Sequence, residues 1–358
     1  VSVATLYAPF SSKVVFSSDL EKDMPADPDT VKMSFVAPLA APADADTALL
    51  KYSSDIPLLL RLDSSRCDLA ALDTLEGRWQ AQRISPDGTR SVSLPIMQLP
   101  RESNEEILFW VRVDSLNFAD SLELTFNTSL EPAFAKDVFP TSRVYTAVWE
   151  FESGVTQIED ASEKGYFPAV GADLEQTAGV VGEAALFNAG ASFVVEGSAI
   201  ADSAKQSNLD YGFAVNFSFS LWVKLDDVSE PQTIFAKGKT QYDLRYAPDS
   251  GFVVEQFCDT AAYKLTFVTG DSLVQKDEWT YVAFSRSEGG AYNLFVNGSK
   301  IAATAQKVEW TGEVDHSADF AVGGFSGALD EFLIAGASRT DSWLYVTYLN
   351  QKYNWPEF

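Results

Sequence analysis

Few residues in this chain are suited to bind transition metals or to build a disulfide framework. Its 358 residues include two cysteines, Cys67 and Cys258, and a single histidine, His316. The cysteines fall in different predicted domains, so we expect two buried reduced thiols, with a disulfide between them as the alternative. Without CxxC or HExxH spacing the chain cannot build a zinc or iron site from soft ligands, and His316 is interpreted as a solvated loop residue.

Positive charge is also scarce. The chain has 26 lysines and arginines against 51 aspartates and glutamates, a formal net charge of -25. Such a surface repels phosphate backbones and anionic lipids, which argues against nucleic acid as a partner and is compatible with divalent cations and neutral polysaccharides. No apolar run reaches the length of about 18 residues that a membrane helix needs, so no transmembrane segment is predicted in this chain.

Aromatic residues, in contrast, are abundant. They make up 13% of the chain, and hydrophobic residues make up 46%. Large flat side chains favour pleated, half-buried strands. In Ser121–Asn127, apolar residues alternate with polar ones, as expected for a strand with one buried face. Similar runs between residues 50 and 130, with a turn signal at residues 85–88, predict a β-sandwich.

The second half of the chain has a more regular strand pattern. Apolar residues alternate through FSFSLWVKL at residues 217–225, and Asn297-Gly298 is typical of a tight type I′ hairpin turn. Strands recur at intervals of about ten residues, which is the pattern of a sandwich or jelly roll. Near the C-terminus, Thr340 or Asp341 can cap a short helix that packs on the sandwich.

The two patterned regions are separated by residues 130–143, which carry two prolines and no strong period. We interpret this stretch as a linker. The predicted domains are therefore residues 1–140, an N-terminal β-sandwich, and residues 145–358, a jelly roll. The fold class is all-β, with two β-sandwich domains in tandem and a short terminal helix on the second.

Several segments of the second half occur in the order typical of one family. They are residues 148–160, 179–188, 217–226, 278–298 and 323–340. With these segments the C-terminal half resembles the laminin-G-like branch of the concanavalin-A-like lectin and glucanase superfamily. The resemblance implies a jelly roll that carries extracellular recognition or glycan chemistry.

The N-terminal half carries a second resemblance. The matching pieces are IPLLLRLDSSRCDLAAL from Ile56, SLPIMQL from Ser93 and the longer run ILFWVRVDSLNFADSLELTFN from Ile107. They are similar to an uncharacterised bacterial β-sandwich domain that often precedes laminin-G-like domains. The resemblance implies a secreted or cell-surface bacterial protein. For such a protein we expect that a signal peptide has been removed.

The first resemblance also implies a structural calcium ion. In that family a carboxylate of the final strand and a loop near the start of the domain contribute ligands, which here correspond to Asp330 and Asp160. Calcium binds six to eight oxygens from carboxylates, carbonyls and water. The alternative is that Asp330 accepts backbone N–H bonds at a strand edge and that Asp160 makes an Asx-turn.

Ligand binding is expected to use aromatic rings. Sugar-binding sandwiches stack flat rings on pyranose faces, and we select the aromatic residues that lie in predicted loops or on polar strand faces. These candidates are Trp310, Tyr242, Tyr246 and Phe325. The expected partner is a polysaccharide or a cell-surface protein.

The sequence contains no evident catalytic pair. A retaining glycosidase needs two carboxyl groups about 5 Å apart, and the glucanases of the resembled superfamily place them as Glu-x-Asp-x-x-Glu, a spacing absent here. Asp330 and Glu331 are adjacent, so on a regular strand their side chains point to opposite faces. We assign no catalytic residue and favour a non-catalytic recognition module. The alternatives are a divergent glycoside hydrolase and a structural spacer of a surface assembly.

Overall fold

The computed structural model describes most of the chain. The described residues are 32–50, 53–64, 69, 78–100, 106–127, 137–140, 145–188, 190–200, 209–211, 216–258, 263–270, 273–302, 305–353 and 356. Cys67 and the side chain of Cys258 lie outside them, so the state of these thiols stays a prediction. The chain divides into two compact units, Val1–Val138 with Leu349–Phe358, and Phe139–Tyr348.

The first unit is a β-sandwich. Its strands are β1 Lys32–Pro38, β2 Ile56–Asp63, β3 Arg78–Ile84, β4 Ser91–Leu94, β5 Ile96–Gln98, β6 Glu106–Val113 and β7 Ser121–Asn127. A four-stranded sheet has the order β1-β7-β3-β4, and a three-stranded sheet has the order β2-β6-β5. Between them, the ring of Trp79 on β3 lies 4.9 Å from Phe109 on β6 and 5.3 Å from Phe126 on β7. The predicted alternation in β7 is confirmed, because its three apolar side chains are buried.

The second unit contains two eight-stranded antiparallel sheets. Its elements are β8 Tyr145–Trp149, β9 Ala169–Val170, β10 Leu174–Ala178, β11 Glu183–Phe187, β12 Ser192–Val195, α1 Gly197–Ile200, β13 Phe217–Leu225, β14 Gln232–Lys237, β15 Tyr242–Ala247, β16 Gly251–Cys258, β17 Tyr263–Val268, β18 Trp279–Arg286, β19 Tyr292–Val296, β20 Ser299–Lys300, β21 Gln306–Glu309, β22 Phe320–Gly323 and β23 Gly327–Ala335. The terminal helix α2, Asp341–Tyr353, begins in this unit, and its residues from Leu349 onward belong to the first unit. One sheet has the order β10-β11-β23-β13-β18-β19-β20, with β8 also paired to β23, and the other has the order β21-β17-β16-β15-β14-β22-β12-β9.

Aromatic side chains join these two sheets into one core. Phe235 of β14 lies 5.0 Å from Phe332 of β23, between ring centroids, and Trp149 of β8 stacks near Phe320 of β22 at 5.7 Å. The apolar residues of β13, alternating as predicted, belong to the same buried cluster. The unit is therefore a sandwich of two antiparallel sheets, and the predicted all-β fold class is confirmed.

The terminal helix begins where the sequence places a cap. The side-chain oxygen of Thr340 accepts a hydrogen bond from the backbone N–H of Trp343 at 3.1 Å, so Thr340 is the N-cap. The ring of Tyr348 on α2 stacks on Trp222 of β13, with 5.8 Å between centroids. Trp222 lies on the strand face that the sequence marks as polar, and the helix buries it.

Strand β23 contains a bulge close to its acidic residues. The β13–β23 register shifts between Ser220 and Trp222, and Glu331 has a φ of 51°. A bulge interrupts the alternation of side chains. The expectation that Asp330 and Glu331 point to opposite faces assumed a regular strand, and β23 is not regular at these residues. Both acidic residues are buried, with exposed fractions of 0% and 5%.

Candidate functional site

The sheet that contains β15 has a polar face turned away from the core. In β15, Tyr242, Leu244 and Tyr246 belong to the core cluster, whereas Asp243 and Arg245 alternate with them and are partly exposed. The antiparallel register continues this face on β16 and β17. We define the outward-face cluster as Asp243, Arg245, Glu255, Lys264 and Thr266.

Glu255 lies at the centre of the outward-face cluster. Its Oε1 contacts Nη2 of Arg245 and Nζ of Lys264, each at 2.7 Å, and accepts a hydrogen bond from Thr266 at 3.2 Å. Asp243 is the direct register partner of Glu255 across the β15–β16 pair. Nε of Arg245 lies 4.0 Å from Oδ1 of Asp243. One guanidinium group therefore contacts two carboxylates.

The electrostatics of this pair are asymmetric. Burial and, to a smaller extent, the nearby Glu255 carboxylate raise the pKa of Asp243 to about 7, against the opposing effect of Arg245. Near neutral pH, Asp243 can therefore donate a proton in a hydrogen bond, whereas Arg245 and Lys264 supply charged donors. Such a mixture of donors and acceptors matches the hydroxyl groups of a sugar.

Trp310 is the predicted ligand-binding residue that remains accessible. It follows β21 at the edge of the same sheet and is partly exposed. Its ring meets Phe257 edge-on, with 5.2 Å between centroids, and Nζ of Lys264 lies 5.5 Å from the centroid of Phe257. We call Trp310 and Phe257 the aromatic edge. It adjoins the outward-face cluster through Lys264.

The other three predicted aromatic residues are buried, which corrects the expectation that they meet a ligand. Tyr242, Tyr246 and Phe325 have exposed fractions of 1%, 3% and 3%. The hydroxyl groups of the two tyrosines donate to the carbonyl oxygens of Leu209 and Val228. Buried rings with satisfied hydroxyl groups pack the core and cannot stack on a surface ligand.

Asp160, a predicted calcium ligand, holds three backbone amides. Its Oδ1 accepts from the N–H groups of Val148 and Ser162 at 2.9 Å, and its Oδ2 accepts from Tyr166 at 2.9 Å. The bond from the residue two positions on is the Asx-turn that the sequence left as the alternative. Burial raises the pKa of Asp160 to about 6, against the opposing effect of these bonds.

Asp330, the other predicted ligand, is wrapped by a turn. Its Oδ2 accepts hydrogen bonds from the N–H groups of Val180 and Val181 at 2.7 and 3.0 Å. A Cβ on Gly179 would lie 2.5 Å from that oxygen, and a Cβ on Gly182 would lie 2.2 Å from Oε1 of Glu152. The glycines of this turn therefore let the backbone approach two buried carboxylates.

Glu150 completes a group of buried acids. Burial raises its pKa well above the usual value, and the charges of Glu152, Asp160 and Asp330 raise it further. Its Oε1 is buried and has no hydrogen-bond partner among the described residues. We call Glu150, Glu152, Asp160 and Asp330 the carboxylate cluster.

The carboxylate cluster fits a hard cation only in part. Within the described ranges, no three acidic, histidine or cysteine side chains are grouped so that they could hold a metal ion. Both oxygens of Asp160 are engaged by backbone amides, so an ion would have to use Glu150 and Asp330 together with backbone carbonyls. Calcium binding stays a prediction, and Asp160 is no longer expected to be one of the calcium ligands.

His316 lies on the surface, as its interpretation as a solvated loop residue requires. The side chain is exposed, and Nδ1 lies 2.9 Å from Oδ1 of Asp210. The contact is a hydrogen bond between two loop residues, which fits a solvated position.

The sequence missed the Asp243–Glu255 pair. The two residues are separated by a hairpin and brought together by strand register, so no motif spacing within one strand reveals them. The usable signal was the charged alternation of YDLRYA, Asp243 and Arg245 between aromatic residues, beside the charge of Glu255 in the next strand.

Comparison with known families agrees with this architecture. Residues 197–344 match the Laminin_G_3 family, described as the concanavalin A-like lectin/glucanases superfamily. This match confirms the resemblance of the C-terminal half. A search of curated proteins found no similar sequence. None of the helices in the described part of the chain has the length and hydrophobicity to span a bilayer.

Several solved structures align with part of this chain. Domain 4 of AbnA, a GH43 extracellular arabinanase from Geobacillus stearothermophilus in complex with arabinotriose, is 20% identical, with a TM-score of 0.43 and coverage of 57% of this chain and 98% of that chain. The binding domain of Paraclostridial Mosquitocidal Protein 1 is 13% identical, with a TM-score of 0.46 and coverage of 57% and 52%. The botulinum neurotoxin serotype D binding domain is 15% identical, with a TM-score of 0.47 and coverage of 58% and 52%. The chain spans about half the length of the latter two.

Proposed function

We propose that the C-terminal domain is a non-catalytic recognition module that binds polysaccharide through its outward-face cluster and aromatic edge. The family match to concanavalin-A-like domains supports a binding role. The observation that carries the proposal is the row of polar groups on β15, β16 and β17 that ends at Phe257 and Trp310. Glu255 is buried at the centre of this row, and the polar side chains on the two flanking strands are partly exposed.

The chemistry of this face suits a neutral glycan. Arg245 and Lys264 donate, Glu255 accepts, and Asp243 can do either near neutral pH. The ring of Trp310 offers an apolar surface for the face of a sugar ring. Because the whole chain has a net charge of -25, a polyanionic glycan meets long-range repulsion, which favours neutral polymers as ligands of this domain.

Affinity electrophoresis in gels that contain soluble neutral polysaccharides tests the proposal. We expect at least one polymer to retard the wild-type chain, and Trp310→Ala and Glu255→Gln to restore most of the mobility. Phe167→Ala is the matched control, since Phe167 is 72% exposed and precedes β9, at the opposite edge of the same sheet. Loss of retardation in Phe167→Ala but not in Trp310→Ala would place the site elsewhere.

Two further results would change the proposed role. Retardation by no polysaccharide, together with capture of a surface protein in a Trp310-dependent way, would make the partner a protein. If the chain binds neither a polysaccharide nor a surface protein, the role of structural spacer is the one supported. We propose a secreted or cell-surface location for all three roles, which fractionation of the producing cells with an antibody to this chain would test.

A divergent glycoside hydrolase is the second candidate function, and the Asp243–Glu255 pair is the observation that favours it. Directly opposed residues have Cβ atoms about 5 Å apart, which is near the separation of about 5 Å between the carboxyl groups of retaining glycosidases. Asp243, with its pKa of about 7, would be the general acid, and Glu255 the nucleophile. Release of reducing sugar by the wild-type chain, absent in both Asp243→Asn and Glu255→Gln, would establish this candidate. Its absence would support the binding module.

We further propose that the carboxylate cluster binds a structural calcium ion, with Glu150 and Asp330 contributing carboxylate oxygens. The orphaned Oε1 of Glu150 and the accumulation of buried negative charge support this proposal. When bound, calcium would supply positive charge between the acidic side chains and would stabilise the fold.

A further inference from the structure

The N-terminal domain contains a cavity of its own. Its volume is about 260 Å³, and its lining includes Arg83, Ser85, Arg90, Val92, Asn117 and Asp120. These residues come from β3, β4, the hairpin loop between them and the loop that precedes β7. The cavity lies wholly within the first unit, so it is independent of the recognition face proposed above.

Arg83 occupies a position that strand alternation assigns to the core. It continues the series Trp79 and Ala81, both of which are buried, and it pairs with Leu122 on β7 and with Val92 on β4. The core therefore ends at Arg83, and the cavity begins there. A charged residue at the inward-facing end of a strand is costly unless its charge is balanced.

A buried carboxylate orients the guanidinium group of Arg83. Nη1 of Arg83 donates to the carbonyl oxygen of Ser115 and lies 3.4 Å from Oδ2 of Asp120. The Asp120 side chain is 9% exposed, and Nδ2 of Asn117 donates to its Oδ1 at 3.0 Å. Ser115 and Asp120 thus fix Arg83 by one of its nitrogens, and Asn117 orients Asp120. Nε and Nη2 of Arg83 make no hydrogen bond with the described residues.

Arg90 adds a second guanidinium group at the rim. Two hydrogen bonds close the hairpin loop that carries it. The backbone N–H of Ser85 donates to the carbonyl oxygen of Arg90 at 2.9 Å, and the backbone N–H of Arg90 donates to Oγ of Ser85 at 3.0 Å. The carboxylate of Asp87 in that loop is engaged by Ser85 Oγ at 2.6 Å and by Thr89 N at 3.1 Å. The charged residues of the lining are therefore two arginines and one aspartate, in a chain whose net charge is -25.

We propose that this cavity binds a monosaccharide-sized molecule through a carboxylate group, which makes uronic acids the ligand class. A planar guanidinium fork matches a carboxylate in a bidentate manner. Ser85 and Ser115 can hydrogen-bond the hydroxyl groups of a sugar, and Pro86 and Val92 provide apolar wall. The volume is just below the range of about 300–1,000 Å³ for pockets that enclose drug-sized ligands, so it suits one sugar unit rather than a chain.

Isothermal titration of the full chain with sodium D-galacturonate and sodium D-glucuronate tests this proposal. We expect binding in the millimolar range that weakens with added sodium chloride, because the contact is an ion pair at the rim. Neutral galactose and glucose should bind at least about tenfold more weakly, as expected for the loss of a charge-assisted bidentate contact. Inorganic phosphate serves as the competing anion.

Arg90→Ala is the decisive variant, because the exposed Arg90 side chain makes no contact that the fold requires in the described structure. We expect it to weaken uronate binding by about tenfold and Arg90→Lys to restore only part of the affinity. Arg78→Ala, on the same strand but outside the lining, should bind as the wild type does. The unfolding midpoint of each variant shows that it is folded.

Three outcomes would overturn the proposal. Equal binding of uronates and neutral sugars would show that the carboxylate group of the ligand does not contribute to binding. Unchanged uronate affinity in Arg90→Ala would place the ligand elsewhere. Tight binding of phosphate with no binding of uronate would make the cavity a phosphate site and exclude the proposed ligand class.

Discussion

Asp243 and Glu255 face each other across adjacent antiparallel strands, and the guanidinium group of Arg245 contacts both carboxylates. The two acids differ in their surroundings, because Glu255 also contacts Lys264 and Thr266. Asp243 is partly desolvated beside the Glu255 carboxylate, which raises the pKa of Asp243. This asymmetry leads to a prediction about pH.

Asn in place of Asp243 should flatten the dependence of stability on pH. The pKa of Asp243 is about 7 in the folded chain, against about 3.9 in an unfolded chain. A raised acid pKa means that the folded state holds the proton more tightly, so the contribution of Asp243 to stability is fully present below about pH 4 and is lost as pH rises through about 7. The loss amounts to roughly 1.4 kcal/mol for each unit of pKa difference.

Urea unfolding at pH 4.5, 6 and 7.5 (roughly spanning the two pKa values) measures this slope. Asp249→Asn is the matched control, since Asp249 is exposed in the turn between β15 and β16. We expect the control to keep the wild-type slope. An equal slope in Asp243→Asn and the wild type would mean that Asp243 titrates as an exposed carboxyl does.

Strand periodicity was sufficient to predict the fold, and it was insufficient for the site. Alternation in β7 and β13 defined the buried faces correctly because one side of each strand packs on the core. For β15 the pattern YDLRYA fits either orientation, since aromatic and charged residues alternate. The selection of Tyr242 and Tyr246 as ligand contacts was wrong because the aromatic side of the strand is the core side.

The polar groups of the site depend on contacts that sequence distance hides. The Asp243–Glu255 pair requires the β15–β16 register, and the burial of Trp222 requires α2 to cover its sheet. Arg83 was equally invisible, because only the pairing of β3 with β4 and β7 shows that it continues an inward-facing series. Register and layer order arise from tertiary packing, which local propensity does not encode.

Asp160→Asn should destabilise the C-terminal domain. The carboxylate accepts three backbone hydrogen bonds, and an amide nitrogen in place of one oxygen would face an N–H donor. Leaving a buried donor unsatisfied costs about 1–3 kcal/mol. Urea unfolding of Asp160→Asn and of the exposed neighbour variant Glu159→Gln measures the difference. A loss confined to the Glu159 variant, or the same loss in both, would contradict the assigned role.

Gly182→Ala should destabilise the domain more than Gly190→Ala. Both glycines have positive φ, 46° and 91°, so each substitution carries a backbone cost of about 1–2 kcal/mol. At Gly182 the new Cβ would also lie 2.2 Å from Oε1 of Glu152, whereas at Gly190 nothing lies within 4 Å. Thermal unfolding should therefore rank the two variants. Partial recovery of Gly182→Ala by Glu152→Ala would identify the carboxylate contact as the cause, and no recovery would exclude it.

Calcium should stabilise the wild-type chain and have a smaller effect on Glu150→Gln. The carboxylate cluster places Glu150 among three other acidic side chains, so a bound cation would offset their mutual repulsion. A ligand that binds only the folded state at about 100 times its Kd adds about 2.7 kcal/mol to the free energy of unfolding. The measurement is the unfolding midpoint after chelation and after addition of millimolar calcium, with Glu159→Gln as the control. An equal calcium response in Glu150→Gln and the wild type would place the ion outside this cluster, and no response in the wild type would exclude a structural calcium ion.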